Sequence, residues 1–150
     1  MIFKISFPLI IGTLIYLLFR STDLIVFEWL ESLGLIDIVL CFRQLIKIYN
    51  IELPNWVVYS LPDGLWVMSI TFFMSFIWRG FNSPESIFFV LSGFLLSSGM
   101  ELLQYFKYLK GTFDYVDLII CSICSMLTIL YEFIYIKNLY KLFNRYKGSD

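Results

Sequence analysis

Glu101 and Gln104 stand three residues apart in an apolar stretch, and Asp114 and Asp117 repeat that spacing beyond Lys107 and Lys110. Residues three or four apart share one face of a helix, so Gly93, Ser97, Glu101 and Gln104 form a small and polar stripe. Asp117, Cys121, Cys124, Ser125 and Thr128 form a second one. An ionised carboxylate costs about 2.5 to 3.5 kcal/mol at the centre of a membrane helix, and it therefore faces a cavity or a partner. Glu101 lies near its helix end, where the cost is smaller, with Gln104, Lys107, Lys110 and Arg20 as candidate partners. Asp114 and Asp117 at a helix start are also what N-capping and the helix dipole favour. Oxygen ligands from Glu101, Asp114 and Asp117 would suit magnesium or calcium. Cys121 and Cys124 form a Cys-x-x-Cys pair, the arrangement of membrane thiol oxidoreductases similar to vitamin K epoxide reductase. That chemistry relays electrons through a second pair, and only Cys41 remains. Small, weakly polar packing between helices also explains the two thiols.

The elements that must position these residues are read from composition. Of the 150 residues, 59% are hydrophobic and 15% charged, a balance that cannot clothe a water-facing surface. Histidine is absent, which excludes zinc hydrolase and serine-triad chemistry. The net charge of −1, with no gathered basic patch, excludes nucleic-acid binding. No cofactor is expected.

Four apolar stretches, about 3–19, 62–78, 87–106 and 116–136, predict an all-α, polytopic transmembrane helical bundle of four spans forming a single domain over 1–150. The first begins after Lys4 and ends in Leu17, Leu18, Phe19 and Arg20 without a cleavage site, so it reads as a retained anchor. The interval 21–61 is apolar yet bears charge. Over 35–48, Asp37, Arg43, Gln44 and Lys47 occupy one face, with Ile36, Val39, Leu40, Leu45 and Ile46 around the remainder. This is the pattern of an amphipathic helix lying in the membrane interface. Ser21-Thr22-Asp23 with Glu28 and Glu31 predicts a shorter helix of the same kind ending near Gly34, and a re-entrant hairpin would look similar.

Lys137, Lys141, Arg145 and Lys147 make the tail, 137–150, basic, which predicts cytoplasmic termini and a multi-pass topology. The tail reads either as a basic helix extension on anionic headgroups or as a solvated tail. On this topology Asp63, Glu101, Asp114 and Asp117 converge near one outer face, where the short 107–113 link joins spans three and four as an antiparallel hairpin.

The run Ser97-Ser98-Gly99-Met100-Glu101-Leu102-Leu103-Gln104, followed by Lys110-Gly-Thr-Phe-Asp114-Tyr-Val-Asp117-Leu-Ile-Ile-Cys121, resembles the VanZ-like family of small bacterial membrane proteins. Leu61-Pro62-Asp63-Gly64-Leu65-Trp66 is similar to the family's Pro-Asp segment, and the resemblance covers 61–136. The family's usual His after Pro-Asp is Trp66 here, its usual Arg is Lys110, and the Asn after the last Asp is Cys121. A lysine cannot reproduce bidentate arginine geometry, so a ligand site built on Lys110 would differ from the family's. The resemblance implies a bacterial plasma-membrane protein of the cell envelope, linked by the family's name to resistance to the glycopeptide teicoplanin. Its shared polar site would comprise Glu101, Gln104, Lys110, Asp114 and Asp117. The expected partners are membrane lipids and a lipid-linked cell-wall intermediate, or a second copy or partner membrane protein. Alternatives are the thiol oxidoreductase and an oligomeric effector or accessory subunit.

Overall fold

The computed structural model describes residues 2–78, 84–109 and 113–147, with residues 84 and 135–147 described by backbone alone. Among the described residues the chain is all-α, as the helical periodicity predicts. Eight helices follow one another: α1 (Ile2–Phe19), α2 (Ile25–Ser32), α3 (Ile36–Ile48), α4 (Asn55–Tyr59), α5 (Leu61–Ile77), α6 (Pro84–Val90), α7 (Ser92–Tyr105) and α8 (Tyr115–Lys147).

α5 is the hub of the bundle, packing on α1, α7 and α8. Three glycines explain how its neighbours come so near. A Cβ at Gly12 on α1 would meet the Trp66 ring at 3.0 Å and the Pro62 carbonyl oxygen at 3.1 Å. One at Gly64 would lie 2.6 Å from Ile120 Cγ2 and 3.0 Å from Cys124 Sγ on α8. One at Gly93 on α7 would press on Ile70 at 3.1 Å. Small residues let helix backbones approach this closely.

Two of the four expected spans, Ile2–Phe19 and Tyr115–Ile134, are long and apolar enough to cross a membrane; the other two fall short. α5 has 17 residues, about 26 Å of helix against the ~30 Å of a hydrocarbon core. The stretch 87–106 is divided at Leu91 into α6 and α7. The break precedes Ser92-Gly93, where α7 closes on α5, and Gly/Ser pairs are frequent kink points. Hydrogen bonds from Leu91 N–H to Ile87 O and from Leu95 N–H to Leu91 O carry the chain through the break.

The interval 21–61 folds as α2 and α3, close to the boundaries its charge pattern predicts, and as a third short helix, α4, that the pattern does not predict. α2, α3 and α7 end alike. Gly34, Asn50 and Lys107 take φ of 69°, 47° and 62°. Their N–H groups donate to Glu31, Lys47 and Gln104 carbonyls, and the following residues donate to Leu30, Ile46 and Leu103. This is the Schellman closure, which usually takes glycine.

The sequence pattern places Arg43 on the water face of α3; the structure turns it inward. Its guanidinium donates to the carbonyls of Leu17 (2.9 Å) and Arg20 (2.7 Å) and lies over the Phe27 ring. The last carbonyls of α1 lack intrahelical partners and carry the negative end of its dipole, so they draw the cation in. Ile36, Val39 and Ile46 are partly covered beside Arg43, while Ile38, Phe42, Leu45 and Tyr49 remain exposed. Three sectors therefore run along α3: one on the bundle, one apolar and open, one carrying Asp37, Gln44 and Lys47.

Candidate functional site

Antiparallel packing brings the C-terminal ends of α1 and α7 to the N-terminal ends of α5 and α8. At this end Arg20 is a junction. It donates through Nε to Val58 O at 3.4 Å and through Nη2 to Tyr59 O, and Nη2 stands 3.8 Å from Asp63 Oδ2. Its guanidinium also lies over the rings of Tyr16 and Tyr59. Arg20, a candidate partner of Glu101 from the sequence, thus pairs with Asp63 instead, because α1 ends beside α4 and the start of α5.

Glu101 is 9% exposed and accepts a hydrogen bond from the Asp114 backbone N–H at 3.1 Å. Asp114 Oδ1 in turn accepts from Val116 N–H at 2.8 Å, capping α8. The two carboxylates complete a capping box between helices, since Glu101 serves the cap residue's own amide as a residue inside α8 ordinarily would. Glu101 therefore joins α7 to α8, and Asp114 caps.

Asp117, in the first turn of α8, differs from both. Its Oδ1 is enclosed and makes no hydrogen bond among the described residues. Asp63, Glu101 and Asp117 lie within Coulombic range of one another. The helix dipoles of α5 and α8 favour the carboxylates at their starts, and Arg20 offsets one charge. Trp66 Nε1, a turn below Asp63, is also enclosed and has no acceptor among the described residues. Gln104 is half-buried beside this cluster's helix, and Lys107 is exposed. Lys110 lies outside the described residues. No three of the described acidic or cysteine side chains converge as a metal-holding group, so a Glu101–Asp114–Asp117 cation site is not formed. The capping bonds explain why: they commit Glu101 and Asp114 to amide donors.

Cys121 and Cys124 are free thiols. Cys121 is fully buried, 3.3 Å from Ser97 Oγ, and Cys124 packs against Gly64. Both serve the helix seams.

Below the polar cluster, α7 and α8 leave an apolar groove of about 320 Å³ between Leu91, Phe94, Ser122, Met126 and Ile129. It starts roughly 8 Å from the level of Asp117 at a rise of about 1.5 Å per residue.

At the opposite end the structure shows charge that sequence reasoning passed over. Glu132 is 3% exposed within α8. Next to it, Tyr131 receives the Lys4 ammonium over its ring at 4.5 Å and packs edge-on against Phe72. The signal for Glu132 was present, because the series 117, 121, 125, 128, 132 keeps one face. It was hidden by the basic residues that follow.

Comparison of the chain with known protein families, with curated protein sequences and with solved structures finds no match.

Proposed function

We propose that this chain is a multi-pass membrane protein of the VanZ-like type, whose four helical passes are α1, α5, α6 with α7, and α8, with both termini cytoplasmic. α6 and α7 together give about 33 Å of helix, enough for a crossing despite the break. What supports the membrane reading is exposure: only 11% of α1 and 22% of the apolar part of α8 are buried. Phe3, Phe7, Leu9, Ile10, Leu14, Ile123, Met126 and Leu127 face outward. Apolar surface so continuous needs lipid or a partner to cover it. The open apolar sector of α3 would enter the same lipid layer while its polar sector meets water.

The end that gathers Asp63, Glu101 and Asp117 engages the headgroup of a lipid or lipid-linked cell-wall intermediate, and the α7–α8 groove beneath it takes the apolar portion. The observation that carries this is the enclosed, unbonded Oδ1 of Asp117, since a buried acceptor without a donor is costly and calls for a partner. Glu101 and Asp114 hold the frame, and Asp117 and Asp63 supply the contact. Teicoplanin tolerance of susceptible bacteria expressing the chain tests the reading. The wild type raises tolerance, and Asp117→Asn at equal membrane abundance loses it. Retained tolerance in that variant removes the site from the function. Replacing Cys121 and Cys124 together by serine leaves tolerance unchanged.

A further inference from the structure

The polar cluster does not stop at one end of the bundle. Helical phase puts Asp63 and Thr71 of α5, Ser97 and Glu101 of α7, and Asp117, Cys121, Ser125, Thr128 and Glu132 of α8 on the faces that meet at the α5–α7–α8 junction. Contacts fix those faces: Gly64 against Ile120 and Cys124, Gly93 against Val67 and Ile70, and Ser97 against Cys121. Burial agrees. Thr71, Cys121 and Thr128 are wholly enclosed, and Ser125 and Glu132 are 3% exposed.

A bundle held by apolar packing alone would place leucine or valine at such positions. Thr128 satisfies its hydroxyl locally, donating to Cys124 O at 2.7 Å. Thr71 Oγ1 and Ser125 Oγ do not; both are enclosed and make no hydrogen bond among the described residues. Two orphan hydroxyls at the middle of a helix junction, between carboxylates at its two ends, form a line of groups that can each accept and donate a proton.

We propose that this junction conducts protons through the bundle, between the Asp63–Glu101–Asp117 cluster and Glu132. Asp117 and Glu132 are separated by about 22 Å along α8, and Cys121, Ser125 and Thr128 divide that length into steps of about 4.5 to 6 Å. One water with two O–H···O bonds of about 2.8 Å spans such a step. A proton enters from water onto a carboxylate of the cluster, passes by way of the Cys121 thiol and the hydroxyls of Ser125, Thr71 and Thr128 with their bridging waters, and protonates Glu132. Its release beside Lys4 and Tyr131 resets the column, and no redox partner is required. Intramembrane carboxylates in relays serve proton transfer elsewhere. The inference rests on the membrane-spanning reading alone and is independent of any lipid ligand.

Purified protein in liposomes containing a pH-reporting dye, driven by a potassium gradient with valinomycin, tests it. Proton flux several-fold above that of empty liposomes is expected. Glu132→Gln abolishes the excess, Ser125→Ala and Thr71→Val each lower it several-fold, and Ile123→Val, on the exposed face of α8 and outside the groove, leaves it unchanged. Alkaline carbonate extraction is scored in parallel. Flux at the empty-liposome level from protein that resists extraction overturns the proposal, as does undiminished flux in both Glu132→Gln and Ser125→Ala. Protein that carbonate strips from the liposomes overturns the spanning reading, and this proposal with it.

Discussion

Around α5, helices meet backbone to backbone through Gly12, Gly64 and Gly93, whereas α3 meets α1 through the long side chain of Arg43. Both regions are rich in apolar residues, but α3 has no buried residue and α5 has six. Apolar character by itself therefore does not decide burial here. Close approach does, and it requires small residues on matched faces of long helices. The short amphipathic elements lack such faces. They are held by hydrogen bonds from arginines to the carbonyls that terminate α1 and α4, an electrostatic attachment that leaves their apolar sectors open.

That contrast can be broken most severely at Gly64. Gly64→Val forces branched carbon into Ile120 and Cys124, and a loss of about 3 kcal/mol is expected, the upper range for overpacking. The thermal midpoint of the detergent-solubilised protein reads it, and an unchanged midpoint would mean that the α5–α8 seam is not tight. Arg20 joins the two regions. Arg20→Met strands Asp63 and two carbonyls at a cost of about 2 kcal/mol, the scale of hydrogen bonds to charged groups; Arg20→Lys restores only part, lacking the planar fork. The same midpoint measurement ranks the three proteins.

Arg43→Met should act locally, costing about 1.5 kcal/mol. Hydrogen exchange would accelerate in α3 and the last turn of α1 while α5 and α8 keep their protection. Uniform acceleration throughout the bundle would show that α3 is part of the core. The smallest effects belong to the helix ends. Lys107→Gly relieves a left-handed non-glycine and gains about 1 kcal/mol, whereas Gly34→Ala loses a similar amount although nothing crowds its Cβ. A neutral Lys107→Gly would indicate that the lysine side chain offsets its own backbone strain.

Much of this was legible in the residues. The apolar stretches and the alternation of charge in 21–61 specify most of the helices, because hydrophobic period and turn chemistry are local properties of the chain, but not α4, the break at Leu91 or the continuation of α8 past 136 to Lys147. The capping role of Asp114 was legible for the same reason. Glu101 was legible as an interhelical group but not in its bond, which goes to a backbone amide that no side-chain inventory would suggest. Glu132 escaped notice because its neighbours in sequence look like the start of a basic tail, although its phase matches Asp117.

The stripes of Gly93, Ser97 and Glu101 and of Asp117, Cys121 and Ser125 were thus determined by sequence alone, since helical phase follows directly from residue spacing. Which partners those stripes meet was decided only in three dimensions. Arg20 goes to Asp63, Arg43 to the end of α1, and Glu101 to the start of α8, because the choice depends on which helix ends the packing around α5 brings together. The unbonded oxygen of Asp117 and the orphan hydroxyls of Thr71 and Ser125 likewise belong to the tertiary structure. A polar atom is left without a partner only by the arrangement of everything around it.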